Sequence, residues 1–188
     1  MRVIAGQYRS RSLRSLRGMD LRPTADRLRE TLFNVLSAGN PTALKGTIWF
    51  DLYAGTGAVG IEALSRGAEM VAFVESGAKA AGLIRHNLQS LQINTGFQLV
   101  NMDVRKALHH LEADGKSADF IFLDPPYRMR EAYRQTLEQL ADSQLLGTTG
   151  IVIAEHDRKF DPGEKFGCLS RYRKLEQGDA ALSFYRRI

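Results

Sequence analysis

The sequence predicts an α/β protein: a doubly wound, mostly parallel sheet of seven strands that ends in an antiparallel hairpin. Three observations predict it. From residue 47 onward, continuous apolar runs alternate with stretches of helical periodicity, the pattern of a parallel sheet covered on both faces. The last two apolar runs are joined by a tight Gly-Asp turn. The excess positive charge is confined to the beginning of the chain, which sets a small basic arm or hairpin apart from the sheet.

The arm comes first. Residues 1–29 carry eight arginines against Asp20 and Asp26, a net +6 in a chain whose total is +5. The planar guanidinium fork binds two phosphate oxygens at once, so Arg2, Arg9, Arg11, Arg14, Arg17, Arg22 and Arg27 are candidate nucleic-acid contacts. Short alternating pieces around Gly6, with Val3, Leu13 and Leu16 as apolar points, suggest a hairpin or extended arm over residues 1–21. RPTADRLRETLFNVLS (22–37) then reads as a helix, with Thr24 as N-cap and Leu28, Leu32, Val35 and Leu36 along one face.

The expected strands are 47–53, 70–75, 97–104, 119–124 and 150–156, with helices at 58–66, 77–91, 105–113 and 130–142. The hairpin covers 167–175 and 180–188 around EQGD. Trp49, Phe50 and Phe122 read as core, and His109-His110 as a solvated helix face. The 188 residues form one domain, the catalytic core spanning 22–188. No window approaches the roughly 18 apolar residues of a membrane span. The N-terminus lacks a signal-peptide core, and Cys168 is the one cysteine. The expectation is a reduced, cytoplasmic, monomeric protein with no metal site.

The loop after the first strand, DLYAGTGAVGIEALSRGA (51–68), places Gly55, Gly57 and Gly60 in G-x-G-x-x-G spacing between strand and helix. Such glycines allow a tight turn, close backbone approach to a ligand and close helix–strand packing, the marks of a Rossmann-like fold. Glu75 ends the second strand twenty residues after Gly55, where an acid can accept from ribose hydroxyls. The loop alone leaves a dinucleotide and S-adenosylmethionine both open. Asp51 at the first strand's end suits a cofactor bearing an ammonium or sulfonium group, with Tyr53 beside it. Asp103, followed by Val104, can accept from an adenine amino group or simply cap the next helix.

The fourth strand runs into Asp124, Pro125, Pro126 and Tyr127. An exocyclic amine is a poor nucleophile because its lone pair is delocalised into the base. The Asp124 carboxylate and the Pro125 carbonyl can grip its N–H groups, two prolines stiffen the loop that holds them, and Tyr127 can stack on the base.

In RVIAGQYRSRSL (2–13), RPTADRLRETLFNVL (22–36), FDLYAGTGAVGIEALSRGA (50–68), FVE (73–75) and FLDPPY (122–127), the chain resembles the RsmD family of bacterial 16S rRNA guanine-N2 methyltransferases. That family belongs to the class I S-adenosylmethionine-dependent enzymes. The resemblance implies methyl transfer from S-adenosylmethionine to N2 of a guanine in 16S rRNA, within an assembling small ribosomal subunit. It also implies that the glycine loop, Glu75 and Asp103 hold the cofactor and the arm holds rRNA phosphate. The rival readings are a DNA adenine-N6 methyltransferase, which shares DPPY, a protein glutamine methyltransferase, and a non-catalytic RNA-binding module. His156 and the Arg186-Arg187 pair are further, weaker candidates for RNA contact.

Overall fold

The computed structural model describes residues 1–15, 23–126 and 128–188, with the side chains of 23–25 also undescribed. Leu16, Arg17, Arg22 and Tyr127, and the side chain of Thr24, therefore lie outside the described residues; because α1 begins at Pro23, Thr24 falls within its first turn rather than at the expected N-cap. Helices α1 (Pro23–Leu36), α2 (Ala58–Ser65), α3 (Ala78–Ser90), α4 (Val104–Ala113) and α5 (Arg130–Ala141) flank one sheet. Its strands are β1 (Ile48–Leu52), β2 (Met70–Val74), β3 (Phe97–Val100), β4 (Ala118–Leu123), β5 (Leu146–Asp157), β6 (Lys165–Phe166), β7 (Leu169–Gln177) and β8 (Ala180–Arg187). Their spatial order is β3-β2-β1-β4-β5-β8-β7-β6, parallel through β5 and antiparallel beyond.

The doubly wound sheet is as expected, but among the described residues it has eight strands rather than seven. The extra one, β6, arises because Gly167 adopts a left-handed φ of 50° and turns the chain back, pairing Phe166 with Leu169. Two residues make a short edge, and a short edge offers little template for unwanted pairing. β3 is shorter than expected because Asp103 caps α4, which takes Val104 into the helix. β5 starts earlier, at Leu146, through a register shift between Ala118 and Phe120.

Two apolar layers sandwich the sheet. α1, α2 and α3 pack one face through Leu28, Leu32, Phe33, Ile61, Ile84 and Leu88, against Trp49, Phe73 and Phe122. α4 and α5 pack the other through Leu108, Leu111, Leu137 and Leu140, against Phe50, Leu52 and Ile121. The strand order reverses between β1 and β4, so the crevice where ligands bind such sheets opens at the carboxyl ends of those two strands.

The N-terminal arm is docked on this frame. Residues 1–13 form a hairpin with one bridge, Arg2 to Ser12, and Val3 and Leu13 enter the α1–α3 core layer. The buried Glu62 of α2 accepts the Ile4 and Ala5 N–H groups at 2.7 and 2.9 Å, and Arg66 pairs with the same carboxylate at 2.8 Å. Ser65 receives the Tyr8 N–H on its hydroxyl and the Gln7 N–H on its carbonyl. Gly6 crosses Ser65 so closely that a Cβ would lie 1.8 Å from the Ser65 carbonyl oxygen, and its φ is 80°. The arm is thus a fitted edge of the domain. Its exposed guanidiniums are carried on a fixed backbone.

Candidate active site at the carboxyl ends of the strands

The glycine loop is built largely from its own backbone. Gly55 and Gly57 take left-handed φ values of 56° and 76°, and Gly57 caps α2. Gly60 is needed for packing, since a Cβ there would sit 2.3 Å from the Phe73 ring. Asp51, 2% exposed, accepts the Gly60 N–H at 2.9 Å and so staples the end of β1 to the start of α2. Burial, opposed by that hydrogen bond and reinforced by Asp124 and Glu75 nearby, pushes its carboxyl up to about 8. Glu75 accepts the Gly55 N–H at 2.9 Å through one oxygen and the Gly77 N–H at 2.7 Å through the other. Asp103 accepts the Arg105 N–H at 3.0 Å, the helix cap, and the carboxylate is exposed at the mouth. Tyr53 has a φ of 60°, and its hydroxyl meets Thr136 at 3.0 Å. Val104, buried, begins α4.

The structure brings together Asp51, Tyr53, Gly55, Gly57, Gly60, Glu75, Asp103 and Val104, the set expected at a cofactor. The left-handed glycines leave the loop backbone uncovered by Cβ atoms, and the acids lie at the end of β1 and just beyond β2 and β3. A ligand with a ribose and a positive charge fits this donor set: Glu75 and Asp103 offer acceptors at the mouth, and Asp51 holds the glycine loop from beneath through the Gly60 N–H.

Across the switch point, Asp124 follows β4 and is partly buried; Pro125 is buried and Pro126 exposed. The Pro126 carbonyl accepts the Met129 N–H at 2.7 Å, closing the turn that the two prolines stiffen. The hydroxyl of the buried Tyr133 donates to the Glu155 carbonyl at 2.7 Å, with the Pro125 carbonyl 3.3 Å away. Among the described residues no hydrogen bond engages the Asp124 carboxylate, in contrast to Asp51, Glu75 and Asp103. Burial raises its proton affinity above the usual carboxylate range.

The described arm arginines Arg2, Arg9, Arg11, Arg14 and Arg27 are all exposed. Arg11 also reaches the Ser90 carbonyl of α3 at 3.0 Å. Arg29, the eighth basic residue of the segment, is buried and structural: it bonds the Arg2 carbonyl at 2.6 Å and Asp26 at 3.1 Å. His156 is fully buried between the Asp157 carbonyl and Ser183, which removes it from any RNA surface. Arg187 is held by Cys168 and the Ser143 carbonyl, while Arg186 lies exposed over the Tyr172 ring. His109 and His110 face solvent as expected.

Sequence reasoning missed four side chains near the site. Asn101 donates to the Glu75 carbonyl at 2.7 Å and fixes the end of β2. Asn87, fully buried on α3, accepts the Arg14 N–H and donates to the carbonyls of Arg14 and Thr56, joining the arm to the glycine loop. Tyr133 braces the proline turn. Glu155 lies on β5 next to Asp124, and its position near the carboxyl end of a parallel strand was the signal that could have found it.

The profile of the family described as "Conserved hypothetical protein 95" matches residues 1–186. "Ribosomal RNA small subunit methyltransferase D" of Escherichia coli K12 is 32% identical over all of this chain and 90% of its own length. The chain belongs to the RsmD family. Within it, "Putative rRNA methyltransferase YlbH" of Bacillus subtilis is 35% identical, covering all of this chain and 99% of its own. Among solved structures, "Putative methyltransferase yhhF from Escherichia coli" superposes with a TM-score of 0.83 at 27% identity, covering 100% and 97% of the two chains. The RsmD-family match extends from the docked arm to the final strand, so arm and sheet belong to one inherited unit.

Proposed function

We propose that this protein methylates the exocyclic N2 amine of a guanine in 16S rRNA of the small ribosomal subunit, with S-adenosylmethionine as methyl donor. The observation that carries the reading is Asp124: an acceptor at the switch point, beside a glycine loop with three acids, with no hydrogen bond from any described residue. Its relatives named as small-subunit rRNA methyltransferases support RNA as the substrate. The exposed arginines of the arm support a phosphate-rich partner.

When bound, S-adenosylmethionine supplies a methyl group on a sulfonium, open to displacement by nitrogen. The protein's part is to hold the amine in line and desolvated. Asp124 and the Pro125 carbonyl accept its two N–H groups, turning the nitrogen lone pair out of the base plane. The proline turn and Tyr133 keep those acceptors fixed, so little reorganisation is needed. The proton lost from nitrogen as the N–C bond forms passes to Asp124 or to water. Tyr127 stacks on the base and completes the grip. Arg2, Arg9, Arg11, Arg14, Arg17, Arg22 and Arg27 position the rRNA backbone. The protein works as a cytoplasmic monomer on assembling subunits.

Radiolabelled methyl transfer to free rRNA, small-subunit particles, duplex DNA and a release factor, followed by nucleoside analysis, tests the reading. The expected product is N2-methylguanosine in small-subunit rRNA. Label in N6-methyladenosine, or in protein alone, overturns it.

A further inference from the structure

β4 and β5 are parallel and in register at their ends, with Leu123 opposite Ala154. The next pair along the two strands is Asp124 and Glu155. Two residues back, Phe122 and Ile153 both enter the core layer beneath α1–α3. Side chains alternate along a strand, so Asp124 and Glu155 lean to that same face, side by side at the crevice. Tyr133 holds the backbone behind both, through the Glu155 carbonyl and the neighbouring Pro125 carbonyl.

Glu155 also shares the chemical state of Asp124. Among the described residues no hydrogen bond engages its carboxylate, and the residue is partly exposed. Burial and the charge of Asp124 raise its proton affinity, while Arg29 on α1 opposes that rise and favours the anion. Arg29 has its own partners in Asp26 and the Arg2 carbonyl. Neutralising Arg29 therefore does not account for a second carboxylate placed at the amine grip.

A guanine presents adjacent donors on its Watson–Crick edge, the N2 amine and N1–H. Adenine offers an amine next to an N1 lone pair. Two neighbouring carboxylates match the first edge and repel the second, and guanine N–H donors relieve the repulsion between the two acids. Resting on the amine-methylation reading above, we propose that Glu155 selects guanine by accepting its N1–H, while Asp124 and the Pro125 carbonyl hold the N2 amine. Glu155 is then a specificity-determining residue that contacts the base.

The test uses 2-aminopurine, which keeps the N2 amine but replaces N1–H with a lone pair. The target guanine is first mapped by mass spectrometry of the wild-type product. Small-subunit particles are then reconstituted on rRNA carrying guanine or 2-aminopurine at that position. Wild-type enzyme is expected to prefer guanine in kcat/KM, because an unpaired buried acceptor costs binding. In Glu155→Ala the preference should shrink about tenfold or more, with cofactor affinity by calorimetry kept. Glu155→Gln, whose amide can turn either end to the base, should also lose preference and carries the test if the alanine variant fails to bind cofactor.

A merely structural Glu155 would slow both substrates alike. An unchanged preference in variants that bind cofactor overturns the proposal, as does a wild type indifferent to 2-aminopurine. Failure of wild-type enzyme to methylate any guanine would instead overturn the broader reading.

Discussion

The two halves of the crevice treat their carboxylates differently. On the glycine-loop side, Asp51, Glu75 and Asp103 each accept a backbone N–H of the fold. On the β4–β5 side, Asp124 and Glu155 accept none from the described residues. The first group spends hydrogen-bonding capacity on holding the loop in shape. The second keeps it for something else, at the expense of two partly buried acids repelling one another. Preorganisation on one side and open valence on the other is what a two-substrate site needs when one substrate is bound by shape and the other by its N–H groups.

The largest effect should come from the open side. Asp124→Ala should reduce turnover by roughly a thousandfold, the scale of a removed transition-state contact, with cofactor affinity nearly unchanged. Single-turnover methyl transfer together with calorimetric titration of S-adenosylmethionine separates the two. Equal loss of both would mean that Asp124 belongs with the loop-holding acids, and the contrast between the halves would fall.

On the glycine-loop side the sharpest probe is packing. Gly60→Ala puts a methyl 2.3 Å from the Phe73 ring and 2.7 Å from Val71, both fully buried in β2. Overpacking of this kind costs about 1–3 kcal/mol. Urea unfolding should show the loss, and cofactor binding should weaken as the loop shifts. Retained stability and affinity would show that the loop tolerates movement and is less preorganised than its hydrogen bonds suggest.

That side was also the more legible in sequence, for a physical reason. Glycine spacing and strand-end acids are local, so Gly55, Gly57, Gly60 and Glu75 could be placed from the chain alone. Asp124 was legible because proline and aspartate interrupt an apolar run. Glu155 was not, because GIVIAEH reads as an ordinary strand until the register sets it beside Asp124. Asn87 and Glu62 were hidden likewise: each serves backbone groups more than fifty residues away in sequence. β6 depends on the left-handed turn at Gly167, which no periodicity announces.

The arm extends the comparison to the RNA. Replacing Arg9, Arg11 and Arg14 with alanine should weaken binding to rRNA several-fold and lower the slope of log K against log salt by up to about 2–3. Fold and cofactor affinity should persist, because the arm is docked by Glu62, Ser65 and Asn87 through backbone groups. Filter binding across a salt series measures the slope. An unchanged slope would remove these guanidiniums from the interface.

The last expected effect is thermodynamic and belongs to Asp51. Its folded-state carboxyl is raised to about 8 from an ordinary value near 3.8, chiefly by burial. A raised carboxyl means that the folded state holds its proton more tightly than the unfolded chain does. Below about pH 4 both states are protonated and the group is neutral in its effect. Between about 4 and 8 the unfolded chain gives up the proton while the folded one keeps it, so stability declines steadily as pH rises, levelling off above 8. Asp51→Asn removes this titration while leaving an oxygen to accept the Gly60 N–H. The variant's stability relative to wild type should therefore climb from pH 5 to pH 9 in urea unfolding without cofactor. A difference that stays flat across that range would show that Asp51 is already ionised in the folded protein, and that the glycine-loop half carries a standing negative charge before its cationic ligand arrives.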